Sequence, residues 1–261
     1  MISDVVLDHV AVAVEQWADA WPAFVVELGG SWKSGGYGPG FAPSQFEYAN
    51  GFRVEVLQPN DVHVNDFLRR FLDRNGPGPH HLTFKVPDLR AALVELEAAG
   101  YRPVGVDFSD PQWFEAFIHP KDGPGVVVQV AQAGNSWESR PPNNMPTPGT
   151  PQASLLHVGL AVPRFDDALR LFGDVLGATE VGRGEDGDSH WVDLSWAGPG
   201  RVRLLEPTSP SSPIAVWLSG RPGRVHHLAF AVPGLTQARQ HGPDEATGTR
   251  FVIDPASIDP A

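Results

Sequence analysis

His9, Glu55, His81 and Gln129 together offer two imidazole nitrogens, one carboxylate and one amide oxygen. That donor set suits a divalent first-row metal (Mn, Fe, Co, Ni or Zn) and leaves coordination positions open for substrate oxygens. Spacing singles these four out: 46 residues separate His9 from Glu55, and 48 separate His81 from Gln129. Two equivalent pieces of chain therefore contribute the same pair of positions, as expected about a pseudo-twofold axis. A lone histidine at the head of a strand is ordinarily a hydrogen-bonded structural residue. Four residues at matched positions of a repeat argue for ligation instead. The chain has no cysteine, so disulfides and thiolate ligands are excluded and any metal is held by nitrogen and oxygen.

The elements that must position these residues repeat four times: LDHVAVAV from Leu7, PHHLTFKVPDL from Pro79, LLHVGLAVPRF from Leu155 and VHHLAFAVPGL from Val225. His9 and His81 lie 72 residues apart, His157 and His227 lie 70 apart, and the leading histidines His9 and His157 lie 148 apart. A fixed period of this kind decides the architecture before local propensities do. Each copy alternates as a strand buried on one side. Val10, Val12 and Val14 oppose His9, Ala11 and Ala13, and Leu82, Phe84 and Val86 oppose His81, Thr83 and Lys85. Helices are expected at 15–28, 89–99 and 165–176, ending at Gly29, Gly100 and Gly177. The fourth copy has only LTQARQ at that place. Late strand pairs follow, one turning about Asn50-Gly51 and a looser one about Asp122-Gly123. The stretch from Gly134 to Gln152 is rich in Pro, Asn and Gly and reads as a linker. The expected division is a domain over 1–133 with the metal site, a linker over 134–152 and a second domain over 153–261.

Alternation in the last strand of the first module sends Phe52, Val54 and Val56 toward the helix, leaving Arg53, Glu55 and Leu57 on the histidine face. In the second module Val126, Val128 and Val130 oppose Val127 and Gln129. A three-residue turn of Ala49, Asn50 and Gly51 pairs Glu47 with Arg53 and Gln45 with Glu55 on that same face. A two-residue turn would push Glu47 into the helix-facing core, which is costly. Glu47 is therefore a second carboxylate, serving either as a base or as an ion-pair partner that orders the sheet. Glu115 is a weaker candidate of the same kind. His119 belongs to a turn, and His80 and His226 should face away from the ligand side.

The second half differs. Arg203 stands 46 residues after His157, where Glu55 stands after His9, and a guanidinium does not coordinate a metal. The counterpart of Gln129 would fall at position 264, beyond the last residue. Glu206 faces the helix side or the strand end. This half reads as a degenerate copy that supports the fold, with an anion-binding cavity on Arg203 as the alternative.

The formal net charge of −12 argues against a nucleic-acid surface and against anionic membranes, while leaving room for a small anionic substrate in a local pocket. No apolar run has the length of a membrane span, and the N-terminus lacks the basic start of a secretory signal. The expected compartment is the cytoplasm.

The strings LDHVAVAV, RVEVLQP, FLRRFLDRNGPGPHHLTFKVPDL and FIHPKDGPGVVVQV resemble the vicinal oxygen chelate superfamily, and the first half is most similar to methylmalonyl-CoA epimerase and glyoxalase I. The likeness covers nearly all of residues 5–131. It implies an α+β fold of four βαβββ modules in two tandem glyoxalase-like domains, each a curled mixed sheet around a cavity, with the fourth module incomplete. In that superfamily the ligands come from the first and last strands of each module, which here carry His9, Glu55, His81 and Gln129. The epimerases usually have Gln at the first late-strand position and Glu at the second. This chain has Glu55 first and Gln129 second. Gln129 cannot take a proton, so it can only ligate. The resemblance implies a metal-dependent isomerase or epimerase that moves a proton next to a carbonyl through Glu55 or Glu47. An extradiol-type Fe(II) dioxygenase and a non-catalytic small-molecule binder are the alternatives. A small molecule is the expected partner, and the chain is either a monomer or a homodimer.

Overall fold

The computed structural model describes residues 1–134 and 138–255. Residues 135–137 of the expected linker, and residues 256–261, with which the fourth module was expected to stop, lie outside the described residues.

The first module runs β1 (Val6–Ala13), α1 (Trp17–Trp21), β2 (Ser31–Gly35), β3 (Gly40–Glu47) and β4 (Arg53–Asn60), and is followed by α2 (Phe67–Asn75). The second has β5 (Gly78–Lys85), α3 (Leu89–Ala98), β6 (Val104–Asp110), β7 (Trp113–Ile118) and β8 (Val127–Ala133). The third has β9 (Ser154–Ala161), α4 (Phe165–Leu169), β10 (Thr179–Glu185), β11 (Ser189–Ser195) and β12 (Arg201–Pro207), and is followed by α5 (Pro213–Leu218). The fourth is reduced to β13 (Arg224–Val232), β14 (Arg239–His241) and β15 (Phe251–Pro255), with no helix among the described residues. Its last strand is nonetheless in place: β15 runs parallel to β13 with Ala229 opposite Val252, as Thr83 is opposite Gln129. The counterpart of Gln129 is therefore Val252 and not position 264, the expected alignment having matched Phe251 to the preceding strand.

Helices α1 and α4 continue as wider turns over Pro22–Glu27 and Arg170–Val175. In each, an N–H reaches back five residues, Leu28 to Ala23 O and Leu176 to Leu171 O. Gly29 (φ +68°) and Gly177 (φ +69°) then reverse the chain in the left-handed conformation that glycine adopts without strain.

The strands form two curled mixed sheets, ordered β2-β3-β4-β1-β5-β8-β7-β6 and β10-β11-β12-β9-β13-β15-β14. In each module the first and last strands lie side by side and parallel, in the first three as a crossover through a helix requires. Their registers correspond: Ala11 is opposite Glu55, Thr83 opposite Gln129 and Gly159 opposite Arg203. Three residues beyond each of these late-strand positions, a side chain reaches the other face and accepts from the first N–H of the module's helix. Gln58 Oε1 takes Trp17 N–H at 2.8 Å, Gln132 Oε1 takes Leu89 N–H at 2.9 Å, and Glu206 Oε2 takes Phe165 N–H at 2.7 Å. These bonds satisfy helix donors that have no intrahelical partner. Because neighbouring strand residues alternate faces, they also fix Glu55, Gln129 and Arg203 on the side away from the helix.

Two compact units emerge, one drawn mainly from modules two and three and the other mainly from modules one and four. In the first, Phe84 meets Phe172 and Trp196 at centroid distances of 5.6 and 4.9 Å. In the second, Tyr48 meets Phe230 at 4.9 Å and Phe24 meets Phe251 at 5.6 Å. These rings are buried, and each contributes roughly 1.5–3 kcal/mol by leaving water.

Helices α2 and α5 fall outside the set expected from sequence. Leu68 and Leu72 of α2 join Ala11, Ala13 and Leu57 in one buried cluster, and Ile214 and Leu218 of α5 join Ala161 and Leu205 in another. Both helices therefore cover the side that carries the late-strand polar residues. Among the described residues no helix is long and apolar enough to cross a membrane.

Candidate metal centre

In module one β1 supplies His9 and β4 supplies Glu55. Their side chains meet with His9 Nε2 3.4 Å from Glu55 Oε2. His9 is 1% exposed and Glu55 9%, and a carboxylate so placed needs partners to offset lost hydration. Gln45, opposite Glu55 in the β3–β4 register, supplies one: its Nε2 lies 3.2 Å from Glu55 Oε1 and 3.5 Å from His9 Nδ1.

Glu47 sits opposite Arg53, and Arg53 Nε donates to Glu47 Oε2 at 3.1 Å. The hairpin has the expected three-residue turn, closed by Tyr48 N–H to Phe52 O at 3.0 Å, with Gly51 at φ +82°. Glu47 and Arg53 are about a third and a fifth exposed. Glu47 thus makes an ion pair with Arg53.

In module two Gln129 lies opposite Thr83. Thr83 Oγ1 donates to Gln129 Oε1 at 2.6 Å, and Gln129 Nε2 donates to Glu115 Oε2 at 2.7 Å. Trp113 Nε1 donates to the same Glu115 oxygen at 2.8 Å. Donor on one side and acceptor on the other fix the orientation of the amide. Its oxygen has two lone pairs, and Thr83 uses one of them. Glu115 is thus the anchor of Gln129, a role that the sequence reading did not give it. Nor did that reading give a role to Trp113 or Thr83, although Thr83 was legible on the histidine face.

His9 and Glu55 stand together in one unit, and His81 and Gln129 belong to the other. All are nitrogen or oxygen donors, the types that Mn, Fe, Co, Ni and Zn share, so the residues present fit such an ion. His81 and Gln129 are each 6% exposed.

His80 does not turn to the opposite face, as simple alternation predicts. Its ring lies edge-on to Phe71 and Phe67 of α2, at 4.7 and 5.9 Å. Burial lowers its pKa to about 4, with the Glu55 charge pulling the other way. His226 packs edge-on to Trp217 of α5 at 5.6 Å. In both cases the aromatic contact comes from a helix that the sequence reading did not foresee. His119 accepts from Lys121 N–H at 3.2 Å and is structural, as expected of a turn residue.

In module three the counterparts of Gln45 and Glu55, Asp193 and Arg203, form an ion pair. Arg203 Nε and Nη2 donate to the two oxygens of Asp193 at 2.7 and 2.8 Å, and the guanidinium lies 4.6 Å from the Trp191 ring centre. Nearby His157 has its pKa lowered to about 4, first by burial and then by the Arg203 charge, against a smaller opposing pull from Asp193. A partly buried cation where Glu55 stands in module one is incompatible with metal ligation there. Its charge is met within the module by Asp193.

The comparisons with known proteins agree with this architecture. An ethylmalonyl-CoA/methylmalonyl-CoA epimerase of Cereibacter sphaeroides is 36% identical over 88 residues, spanning 33% of this chain and 65% of that protein, just under two thirds of its length. A mutant of 4-hydroxymandelate synthase from Streptomyces coelicolor superposes with a TM-score of 0.65 at 17% identity, over 89% of this chain and 72% of that one. A hypothetical protein from Staphylococcus aureus superposes with a TM-score of 0.63 at 14% identity, over 98% of this chain and all of that one. At these identities the superpositions speak to the fold alone. Residues 8–117 and 156–253 match the sequence pattern of one family, and with both halves so matched the chain belongs to the glyoxalase/bleomycin resistance protein/dioxygenase superfamily.

Proposed function

We propose that the first half of the chain holds one divalent first-row metal ion through His9, Glu55, His81 and Gln129. Its chemistry would be proton transfer at the carbon next to a carbonyl, as in an isomerase or epimerase of a small 2-acyl acid or its thioester. The observation that carries this reading is the buried pairing of His9 with Glu55, Nε2 to Oε2 at 3.4 Å, two donors of the right kind where burying a carboxylate without a counterion is costly. A bound ion would supply Lewis-acid stabilisation of negative charge developing on a substrate oxygen.

The chain's own residues divide the remaining work. Gln129, fixed by Thr83 and Glu115, presents an amide oxygen and cannot accept a proton. Proton movement falls to a carboxylate. Glu55 lies on the ligand face beside His9, whereas Glu47 would first have to leave Arg53. The partial likeness to the Cereibacter sphaeroides epimerase supports a thioester as the first substrate to try.

A second reading has its own support. Two histidines and one carboxylate are also the donor set of non-haem Fe(II) oxygenases, and His9, His81 and Glu55 supply it. The two readings separate in one assay series. The metal-loaded protein in deuterated solvent should exchange the α-hydrogen of a methylmalonyl thioester or a related acid. Absence of exchange across a panel of such acids would count against proton transfer, and oxygen uptake by the Fe(II) form with a catechol would favour the second reading.

A further inference from the structure

Gln45 touches both His9 and Glu55 with one atom, Nε2, 3.5 Å from His9 Nδ1 and 3.2 Å from Glu55 Oε1. An ionised carboxylate only accepts hydrogen bonds, so the end of the amide that faces Glu55 is the NH2 end. Turned over, the amide would set its carbonyl oxygen against the carboxylate, two acceptors with no proton between them. An NH2 group facing Nδ1 makes that nitrogen an acceptor, which places the ring proton of neutral His9 on Nε2. Nε2 in turn faces Glu55 Oε2 at 3.4 Å. The arrangement is self-consistent, but it covers with a proton the lone pair that His9 Nε2 would need to ligate a metal.

We infer that Gln45 is a positioning residue whose side-chain amide switches between two orientations, one for the metal-free and one for the metal-loaded site. In the metal-free orientation its NH2 group holds Glu55 and keeps His9 in the Nε2–H tautomer. On loading, Glu55 leaves Gln45 and the amide turns over, so that Oε1 accepts from His9 Nδ1–H and the Nε2 lone pair is freed. The ring loses one proton at Nε2 and gains one at Nδ1 by exchange with water, so the proton count is unchanged. Partners of this kind on the second ring nitrogen of a ligating histidine set its tautomer and strengthen it as a ligand. The loaded half of the switch rests on the metal reading above, while the metal-free half stands on the contacts of Gln45 alone.

The test is nitrogen-15 NMR of labelled histidine in the full chain, metal-free and with Zn2+, with His9 assigned by its loss in His9→Gln. The wild-type ring should read Nε2–H without metal and Nδ1–H with zinc. Gln45→Met should leave the metal-free ring without a fixed tautomer and weaken zinc binding about tenfold. Gln45→Glu, which can only accept, should bring the metal-free ring to Nδ1–H. A metal-free wild-type ring already at Nδ1–H, in a protein that binds zinc, would overturn the switch alone. So would a Gln45→Met protein with the wild-type ring and wild-type zinc affinity. A wild-type ring at Nε2–H in a protein that fails to bind zinc would overturn the switch and the metal reading together.

Discussion

Modules one and three are copies of one scaffold carrying opposite chemistry. His9, Gln45 and Glu55 recur 148 residues later as His157, Asp193 and Arg203, in the same strand registers. The covering helix is kept as well. α2 packs on Ala11, Ala13 and Leu57, and α5 packs on Ala161 and Leu205, with His80 against Phe71 echoed by His226 against Trp217. The polar pair on the ligand face has changed. An amide bonded to Glu55 leaves module one with a carboxylate and an imidazole side by side, donors that suit a cation. A carboxylate bidentate to a guanidinium leaves module three internally neutral. The difference teaches that helix placement and sheet register are set by the apolar repeat, while two side chains on the ligand face decide whether a metal is welcome.

The largest predicted effect comes from making module one resemble module three. Glu55→Arg should abolish metal binding and cost about 3–5 kcal/mol, because it buries a cation without an acceptor. Adding Gln45→Asp should recover most of the stability but none of the metal. Denaturant unfolding and metal analysis read the two outcomes, and a double variant as unstable as the single would break the equivalence of the two pairs.

Next in size is the acid response of module three. Burial, followed by the Arg203 charge, lowers the folded pKa of His157 from 6.5 to about 4, with Asp193 opposing. Between those values the unfolded chain binds more protons, so this contribution is full above pH 6.5 and is lost as pH falls toward 4. The loss should amount to about 2 kcal/mol after allowance for partial exposure. A His157→Gln protein should show a flatter stability profile across that window, and an unchanged slope would contradict the cause given.

Asp193→Asn should cost about 1–3 kcal/mol in chemical denaturation, the loss of charge-assisted bonds to a partly buried Arg203. The smallest effect is expected at Glu47. Glu47→Gln should change thermal stability by no more than about 1 kcal/mol and leave metal content unaltered. A loss of metal there would move Glu47 into the ligand set.

Much of this comparison was legible in the sequence because strand alternation and the repeat both act over short distances. The pairing of Gln45 with Glu55 and of Glu47 with Arg53 followed from one turn-length argument and matches the register. The expected helix at 89–99 is found as Leu89–Ala98. Helices α2 and α5 were not legible. They are nine and six residues long, too short to be stable without tertiary contacts, and what holds them is the apolar ligand-side floor of Ala11, Ala13 and Leu57 or of Ala161 and Leu205. In retrospect Ser212-Pro213 is a helix start signal, for Ser212 accepts from Ala215 N–H. The same blind spot misdirected His80 and His226, whose aromatic partners sit on those helices. The anchoring of Gln129 by Glu115 and Trp113 escaped for another reason: β6–β7 pairing contains register shifts, and simple alternation gives little guidance to contacts around such a strand.

The central claim is that the ligand face of module one, and not that of module three, takes a metal. Metal analysis of the protein purified without chelators, beside His9→Ala and Glu55→Ala, tests it most directly. One ion per wild-type chain is expected, lost in both variants. Equal metal content in all three would contradict it.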